Sequence, residues 1–152
     1  MRLTYQTDYA LRLLMFLALH GKERTSIHEA ADRYRISENH LMKVTQRLAA
    51  LGVVDALRGR GGGIRLATEP SAISIGAVVR AVEPDFALVE CFGVDNTCPI
   101  TSACTLRGIL DEARQAFLYV LDKYTLADLM DRPRKLRMLL SDQARAAPKT
   151  SV

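Results

Sequence analysis

Long hydrophobic runs are missing from this 152-residue chain. The most apolar segment, residues 10–20, is shorter than the roughly 20 residues that a bilayer-spanning helix needs, and it contains Arg12. Asp8 precedes the segment and no small-residue cleavage site follows it, which argues against a signal peptide. We therefore predict a cytoplasmic protein that has no membrane partner.

Catalytic motifs are also lacking. We find no Ser/His/Asp or Cys/His nucleophile set and no paired carboxylates. The glycine run Gly61–Gly63 falls in a predicted hairpin, whereas a phosphate-binding loop would lead into a helix. The sequence therefore predicts a protein that is not an enzyme.

Charge is distributed unevenly along the chain. The sequence has 21 Lys and Arg against 17 Asp and Glu, which gives a net charge of +4. Residues 1–66 hold 11 basic and 6 acidic side chains, whereas residues 67–152 hold 10 and 11. Because the first half carries the excess positive charge, an anionic partner such as nucleic acid is expected there.

Three helices are predicted in this basic half. The first runs from about Thr7 to His20, and Ser26–Glu29 matches the S-x-x-E capping box of a short second helix. Ser37 has the character of an N-cap for a third helix, and Gly52 is suited to end it. The third helix has apolar residues at three- and four-residue spacing: Leu41, Val44, Leu48 and Leu51. Two helices joined by a short turn indicate a helix-turn-helix.

A β-hairpin is predicted to follow the third helix. Residues 53–57 and 64–66 are short strand-like runs, and residues 58–63 between them are rich in arginine and glycine. A hairpin after a helix-turn-helix is a wing. The predicted fold is therefore mainly α with a small β-hairpin wing, and residues 1–82 form a winged helix-turn-helix DNA-binding domain.

The predicted partner of this domain is a double-stranded DNA operator. Polar residues on the outer face of the third helix are candidates for contacts in the major groove. Arginines in a thin hairpin can enter a minor groove. The candidate DNA-binding residues are Ser37, Asn39, His40, Lys43 and Arg47 on the helix, with Arg58, Arg60 and Arg65 on the wing.

A cysteine-containing loop, residues 83–104, follows a fourth predicted helix over residues 73–82. Its three cysteines, Cys91, Cys98 and Cys104, cannot all pair in disulfides, and their spacing matches neither a zinc ribbon nor a bacterial ferredoxin. A loop of this length needs a reason to be ordered, and metal ligation is one. An iron–sulfur cluster, a zinc ion and a thiol switch all remain open on spacing alone. A non-DNA electron carrier is a further alternative, which the basic first half disfavours.

A long helix is predicted over residues 105–123, and a short helix follows it, so that the two occupy residues 105–130. Its broad apolar stripe suits a dimer interface or an intramolecular core, and the sequence does not distinguish the two. The stripe consists of Leu106, Ile109, Leu110, Ala113, Phe117, Val120 and Leu121. Residues 131–152 are predicted to be a partly disordered tail.

Several segments together resemble one known family. They are Met1–Thr4, Arg58–Gly63, the three-cysteine loop and Tyr124–Leu129. This combination, over about residues 1–130, resembles the iron–sulfur winged-helix regulators that include NsrR, IscR and RirA. The resemblance implies a homodimer in which a long helix from each subunit crosses at the interface, and it favours an iron–sulfur cluster over zinc. A 4Fe-4S cluster is expected in preference to a 2Fe-2S cluster.

Two positions distinguish branches of that family. IscR-like members have a histidine three residues after the third cysteine, whereas Arg107 stands there in this chain. NsrR-like members carry an aspartate near the start of the first helix that ligates the cluster of the partner subunit, and Asp8 occupies that place. Asn39–Lys43 and Ile73–Gly76 also look like the NsrR branch. The resemblance thus implies a repressor that senses nitric oxide; the alternative is a RirA-like sensor of iron or cluster status.

Overall fold

The computed structural model of the protein describes residues 2–59 and 61–145. Within these residues the chain forms six α-helices and one two-stranded antiparallel sheet. In chain order they are α1 Tyr5–His20, α2 Ile27–Tyr34, α3 Glu38–Ala50, β1 Val54–Leu57, β2 Gly63–Leu66, α4 Ile75–Val82, α5 Thr105–Asp122 and α6 Pro133–Arg145. None of the helices in this part of the chain is both long and apolar enough to cross a membrane.

Side-chain caps start several of these helices. The Ser26 hydroxyl accepts a hydrogen bond from the backbone N–H of Glu29 at 3.0 Å, which is one half of the predicted capping box. The Glu29 carboxylate accepts instead from the Thr25 hydroxyl at 2.8 Å. Ser37 occupies the predicted N-cap position of α3, but its side chain accepts no capping hydrogen bond from the described residues. Gly52 adopts a φ of 72° just after α3, in the left-handed region that favours glycine.

The core is built around α1. Its residues Leu13, Leu14 and Leu17 are completely buried, and Phe16 is nearly so. The helix packs against α3, α4 and β2. The helices and the wing of the predicted winged helix-turn-helix therefore share one hydrophobic core, to which Leu126 from the segment after α5 also belongs.

The wing is attached to this unit by its second strand. Val54 pairs with Leu66 within the hairpin, and Ile64 forms an additional bridge to Thr25, with N···O distances of 2.8 and 3.0 Å. Gly63 has a φ of 134°, and a Cβ there would lie 2.7 Å from the Thr25 carbonyl oxygen. Glycine is therefore required where the wing meets the chain before α2.

The segment after α5 returns to the same unit. The Ile75 N–H donates to the Tyr124 carbonyl at 3.0 Å, and the Leu126 N–H donates to the Ile73 carbonyl at 2.9 Å. Leu126 is completely buried. A Cβ on Gly76 would overlap the carboxylate of Asp122, so glycine lets α4 and α5 approach closely.

The predicted tail contains a helix that the sequence analysis missed. Helix α6 packs against α2. The Arg137 guanidinium donates to the Leu19 carbonyl at 2.7 Å, and Arg33 donates to the Leu140 carbonyl at 3.4 Å. The disorder predicted for the end of the tail concerns residues 146–152, which lie outside the described residues.

Candidate nucleic-acid interface and cysteine site

The outer face of α3 carries most of the predicted helix contacts to DNA. Ser37, Asn39 and Lys43 are exposed. His40 is also exposed, and its ring lies 6.1 Å from the ring of Tyr9 in α1. The structure thus brings these four predicted residues to one solvent-facing surface.

Arg47, the fifth predicted residue of this helix, has a structural contact. Its guanidinium donates a hydrogen bond of 2.8 Å to the carbonyl oxygen of Val82 at the end of α4. Carbonyl groups in the last turn of a helix have no partner within the helix. Arg47 therefore ties the end of α3 to the end of α4, and only its remaining N–H groups are available to DNA.

The wing arginines, like the predicted residues of α3, include both an exposed side chain and one that is bonded within the fold. Arg58 is exposed near the hairpin tip, whereas Arg60 lies outside the described residues. The Arg65 Nε donates to the Asp55 carboxylate at 3.0 Å, and Arg24 forms an ion pair with the same carboxylate at 2.7 Å. The hydrogen bond from Arg65, assisted by Arg24, holds the pKa of Asp55 below its usual range. Arg65 therefore helps to hold the wing together, and the sequence analysis missed Arg24.

The three cysteines lie between α4 and the start of α5. Cys91 sits in a short 3-10 turn (Glu90–Phe92), Cys98 in the following loop, and Cys104 at the N-cap of α5. All three are half-buried free thiols. They are therefore accessible to a ligand.

Short-range hydrogen bonds shape this loop. The Asn96 side chain accepts from the Cys98 N–H at 3.0 Å and donates to the Thr101 hydroxyl at 2.9 Å. The Thr101 hydroxyl donates to the Cys98 carbonyl at 2.8 Å. Glu90 accepts from the hydroxyl and the N–H of Thr97, and these bonds hold the pKa of Glu90 below its ordinary value. The loop thus has local order around Cys98 without an apolar core of its own.

The donor chemistry of this loop fits an iron–sulfur cluster. Cysteine thiolates are the usual protein ligands of such clusters, and the loop holds three cysteine side chains. Cys104 stands at the N-terminus of the 18-residue helix α5, where the described residues supply no side-chain cap. The helix dipole there favours a bound anionic group. Among the described residues, no three His, Cys, Asp or Glu side chains are grouped closely enough to hold a metal ion.

Asp8 pairs with another α1 side chain of its own chain. Its carboxylate pairs with the guanidinium of Arg12, one turn further along α1, with distances of 2.8 and 2.9 Å. Both side chains are partly exposed, at 40% for Asp8 and 45% for Arg12. Asp8 is thus part of a surface ion pair in the single chain.

Helix α5 has an apolar face that its own chain does not cover. None of its 18 residues is buried in the described part of the chain. The stripe predicted from the sequence is divided: Leu110, Phe117 and Leu121 are half-buried, whereas Leu106, Ile109 and Val120 are 49–59% exposed. The exposed residues, together with Ala113, form what we term the open face of α5.

Comparison with known proteins identifies the family. Residues 3–132 match the profile of Rrf2, described as an iron-dependent transcriptional regulator. The chain belongs to the Rrf2 family. It is 51% identical to the HTH-type transcriptional regulator NsrR of Bacillus subtilis (strain 168) over 142 residues, which are 92% of this chain and 97% of the relative. It is also 51% identical to NsrR of Geobacillus kaustophilus over 145 residues, covering 94% of this chain and 99% of that protein.

Solved structures agree with this assignment. The chain is similar to CymR, the global cysteine regulator of B. subtilis, with a TM-score of 0.68 and 30% identity over 85% of this chain and 95% of CymR. IscR of T. potens shares the fold, with a TM-score of 0.71 and 24% identity over 91% of this chain and 92% of IscR. The predicted winged-helix fold and the prediction of an NsrR-like transcriptional regulator are confirmed. The individual DNA contacts and cluster ligands stay predictions.

Proposed function

We propose that this NsrR-type regulator is a homodimeric repressor whose operator binding depends on an iron–sulfur cluster that reacts with nitric oxide. The observation that carries the proposal is the set of three free, half-buried thiols at the entrance to α5, in a chain about half identical to NsrR proteins. A DNA target and reduced thiols suit the cytoplasm.

The cluster would be held by four protein ligands. Three are the thiolates of Cys91, Cys98 and Cys104, and the fourth is Asp8 of the partner subunit. Four ligands suit a 4Fe-4S cluster, with one for each iron. The cluster supplies iron that nitric oxide attacks, and a carboxylate is a more readily exchanged ligand than a fourth thiolate. Asp8 also has Arg12 as an alternative partner, because the two side chains already pair in the single chain.

The operator would be read by two elements of each subunit. Ser37 at the N-cap of α3 and Asn39, His40 and Lys43 on α3 are exposed and would contact the major groove. Arg58 near the hairpin tip would contact the minor groove, as would Arg60, which lies outside the described residues. Arg47 and Arg65 contribute chiefly by positioning, since each already bonds within the fold.

A second copy of this chain would cover the open face of α5. Leu106, Ile109 and Val120 leave apolar surface in water along a helix that also carries Cys104 at its N-cap. A two-fold dimer through this helix would bury the open face of both copies. It would also present α3 and the wing of each subunit to one half of a near-palindromic operator.

Cluster ligation is tested by anaerobic purification. The wild-type protein should absorb visible light and contain iron and sulfide, about four of each per chain for a 4Fe-4S cluster. Alanine at Cys91, Cys98 or Cys104 should abolish the colour and leave a folded dimer. Ser102→Ala, an exposed position in the same loop, is the control that should keep it. Stoichiometric zinc in colourless wild-type protein would contradict the proposal.

The role of Asp8 is tested by two variants that break the same ion pair. Asp8→Ala removes both the pair with Arg12 and the carboxylate ligand, whereas Arg12→Ala removes only the pair. Asp8→Ala should assemble a cluster with an altered spectrum, an altered reaction with nitric oxide and weaker operator binding, and Arg12→Ala should retain the wild-type spectrum. Equal spectra for both variants and wild type would remove Asp8 from the ligand set.

The signal is tested on the wild-type protein. A few equivalents of nitric oxide per cluster should release the operator, and mild iron chelation should act more slowly. Release by the chelator with no response to nitric oxide would instead support the RirA-like alternative.

A further inference from the structure

The first residue of the cysteine loop, Glu83, contacts the start of α1. Its carboxylate accepts hydrogen bonds from the Thr4 N–H at 3.1 and 3.2 Å and from the Thr4 hydroxyl at 3.1 Å. The hydroxyl of Thr7, which is completely buried, donates to the same carboxylate. Thr4 is itself the N-cap of α1. A negative charge at a helix N-terminus stabilises it, because the first N–H groups have no partner within the helix.

The neighbouring residue, Val82, contacts the recognition helix. Its carbonyl oxygen accepts the 2.8 Å hydrogen bond from Arg47. Arg47 lies one helical turn after Lys43, which is on the exposed face of α3. Two consecutive residues at the end of α4 therefore bond to two different helices, with Val82 holding α3 and Glu83 holding α1.

This pair of residues also marks a change of direction in the chain. Val82 is completely buried and closes α4, whereas Glu83 has an extended backbone that leads into the loop with the three cysteines. A shift of the α1 N-terminus relative to Glu83 therefore acts on the segment that also anchors Arg47. Asp8 lies one residue after Thr7, in the first turn of α1, next to the residues that bond to Glu83.

We propose that Glu83 is a positioning residue that couples the start of α1 to the recognition helix through the Glu83–Thr4/Thr7 and Val82–Arg47 hydrogen bonds. Its role in signalling rests on the proposed function, in which Asp8 of one subunit senses the cluster of the other. The mechanical coupling between α1 and α3 concerns this chain alone.

The mechanical coupling is tested on cluster-free protein by hydrogen–deuterium exchange. Glu83→Gln keeps the size of the side chain but replaces one acceptor oxygen with a donor group. Exchange should rise both in the first two turns of α1 and in the last turns of α3. Asp128→Asn is the matched control, because Asp128 also accepts from the N–H and the hydroxyl of a threonine, Thr125, and shares no hydrogen bond with Glu83, Val82 or Arg47 among the described residues. A rise in α1 alone, or equal effects of the two variants, would overturn the proposal whether or not a cluster exists.

The signalling role is tested with operator affinity before and after nitric oxide treatment. We expect nitric oxide to lower the operator affinity of the wild-type protein by about tenfold or more. For Glu83→Gln, the ratio of the affinity before treatment to the affinity after treatment should move towards one at unchanged iron content. The same ratio for Asp128→Asn should stay at the wild-type value. Thr7→Val removes the hydroxyl that donates to Glu83 and should have the same effect as Glu83→Gln. It replaces Glu83→Gln in the test if that variant folds poorly. A wild-type ratio in both Glu83→Gln and Thr7→Val would refute the signalling role. A wild-type protein without iron or without a response would refute the proposed function, and the exchange experiment would still decide the coupling.

Discussion

The winged helix-turn-helix and the segment from residue 83 to residue 122 differ in how much of their apolar surface the single chain covers. The first has four leucine or phenylalanine side chains of α1 with at most 2% exposure. The second has a loop held by local hydrogen bonds and a helix with no buried residue in the described structure. The difference teaches that the core of the DNA-binding unit is complete in one chain, whereas the thiols of the loop and the open face of α5 stay accessible to the proposed cluster and the proposed second subunit.

The largest expected effect comes from a charge on the open face of α5. Ile109→Glu would bury a carboxylate in the proposed dimer interface and should yield a folded monomer. Because a monomer engages only one half-site, operator affinity should fall by on the order of 10²–10⁴-fold. Sedimentation and operator titration measure the two effects. Gln115→Lys, outside the apolar face of the same helix, should remain a dimer with normal affinity.

A second variant shortens a side chain in the core of the winged helix-turn-helix. Leu14 is fully buried, so Leu14→Ala should lower the free energy of unfolding by about 2–5 kcal/mol. This loss should appear equally in the Ile109→Glu monomer. A much larger loss in the dimer than in the monomer would contradict the view that the winged unit is complete in one chain.

A smaller effect is expected from the reading face of α3. Lys43→Ala should weaken operator binding and, if Lys43 contacts a phosphate, should reduce the slope of log K against log salt by about 0.9. Titrations at several salt concentrations measure the slope. Lys123→Ala is the control, because that ammonium lies over the ring of Tyr119, 4.3 Å from its centre, just after α5. Equal salt slopes for Lys43→Ala and Lys123→Ala would contradict the assignment of the exposed face of α3 as the DNA-binding surface.

The smallest effect concerns the attachment of the wing. The folded state depresses the pKa of Asp55, chiefly through the hydrogen bond from Arg65. The ionised carboxylate therefore stabilises the wing above the ordinary Asp pKa of about 3.9, and this contribution is lost as the pH falls through the lower folded pKa. Asp55→Asn should raise amide exchange in β2 at neutral pH, and Asp131→Asn should not. Unchanged exchange in β2 would show that the Thr25–Ile64 pairing alone holds the wing.

Much of the fold could be predicted because its signals are local. The Ser26–Glu29 capping box, the glycine after α3 and the spacing of Leu41, Val44 and Leu48 each involve residues within about two helical turns. Such patterns specify a helix or a hairpin before any tertiary contact forms. The family resemblance likewise rested on short segments that the comparisons then supported. Helix α6 was missed because its basic residues and the small residues after it obscured the apolar positions Leu136 and Leu140.

The sequence by itself determined the order of helices α1 to α5, the wing between α3 and α4, and the loop with three thiols between α4 and α5. Only the tertiary structure decided that Arg47 bonds to Val82, that Arg65 bonds to Asp55, and that the apolar stripe of α5 divides into a packed side and an open side. It also placed Glu83 on Thr4, a residue 79 positions away. Helical periodicity shows which residues share a face of a helix. The element that packs against that face depends on how segments distant in the sequence come together, which a local pattern does not specify.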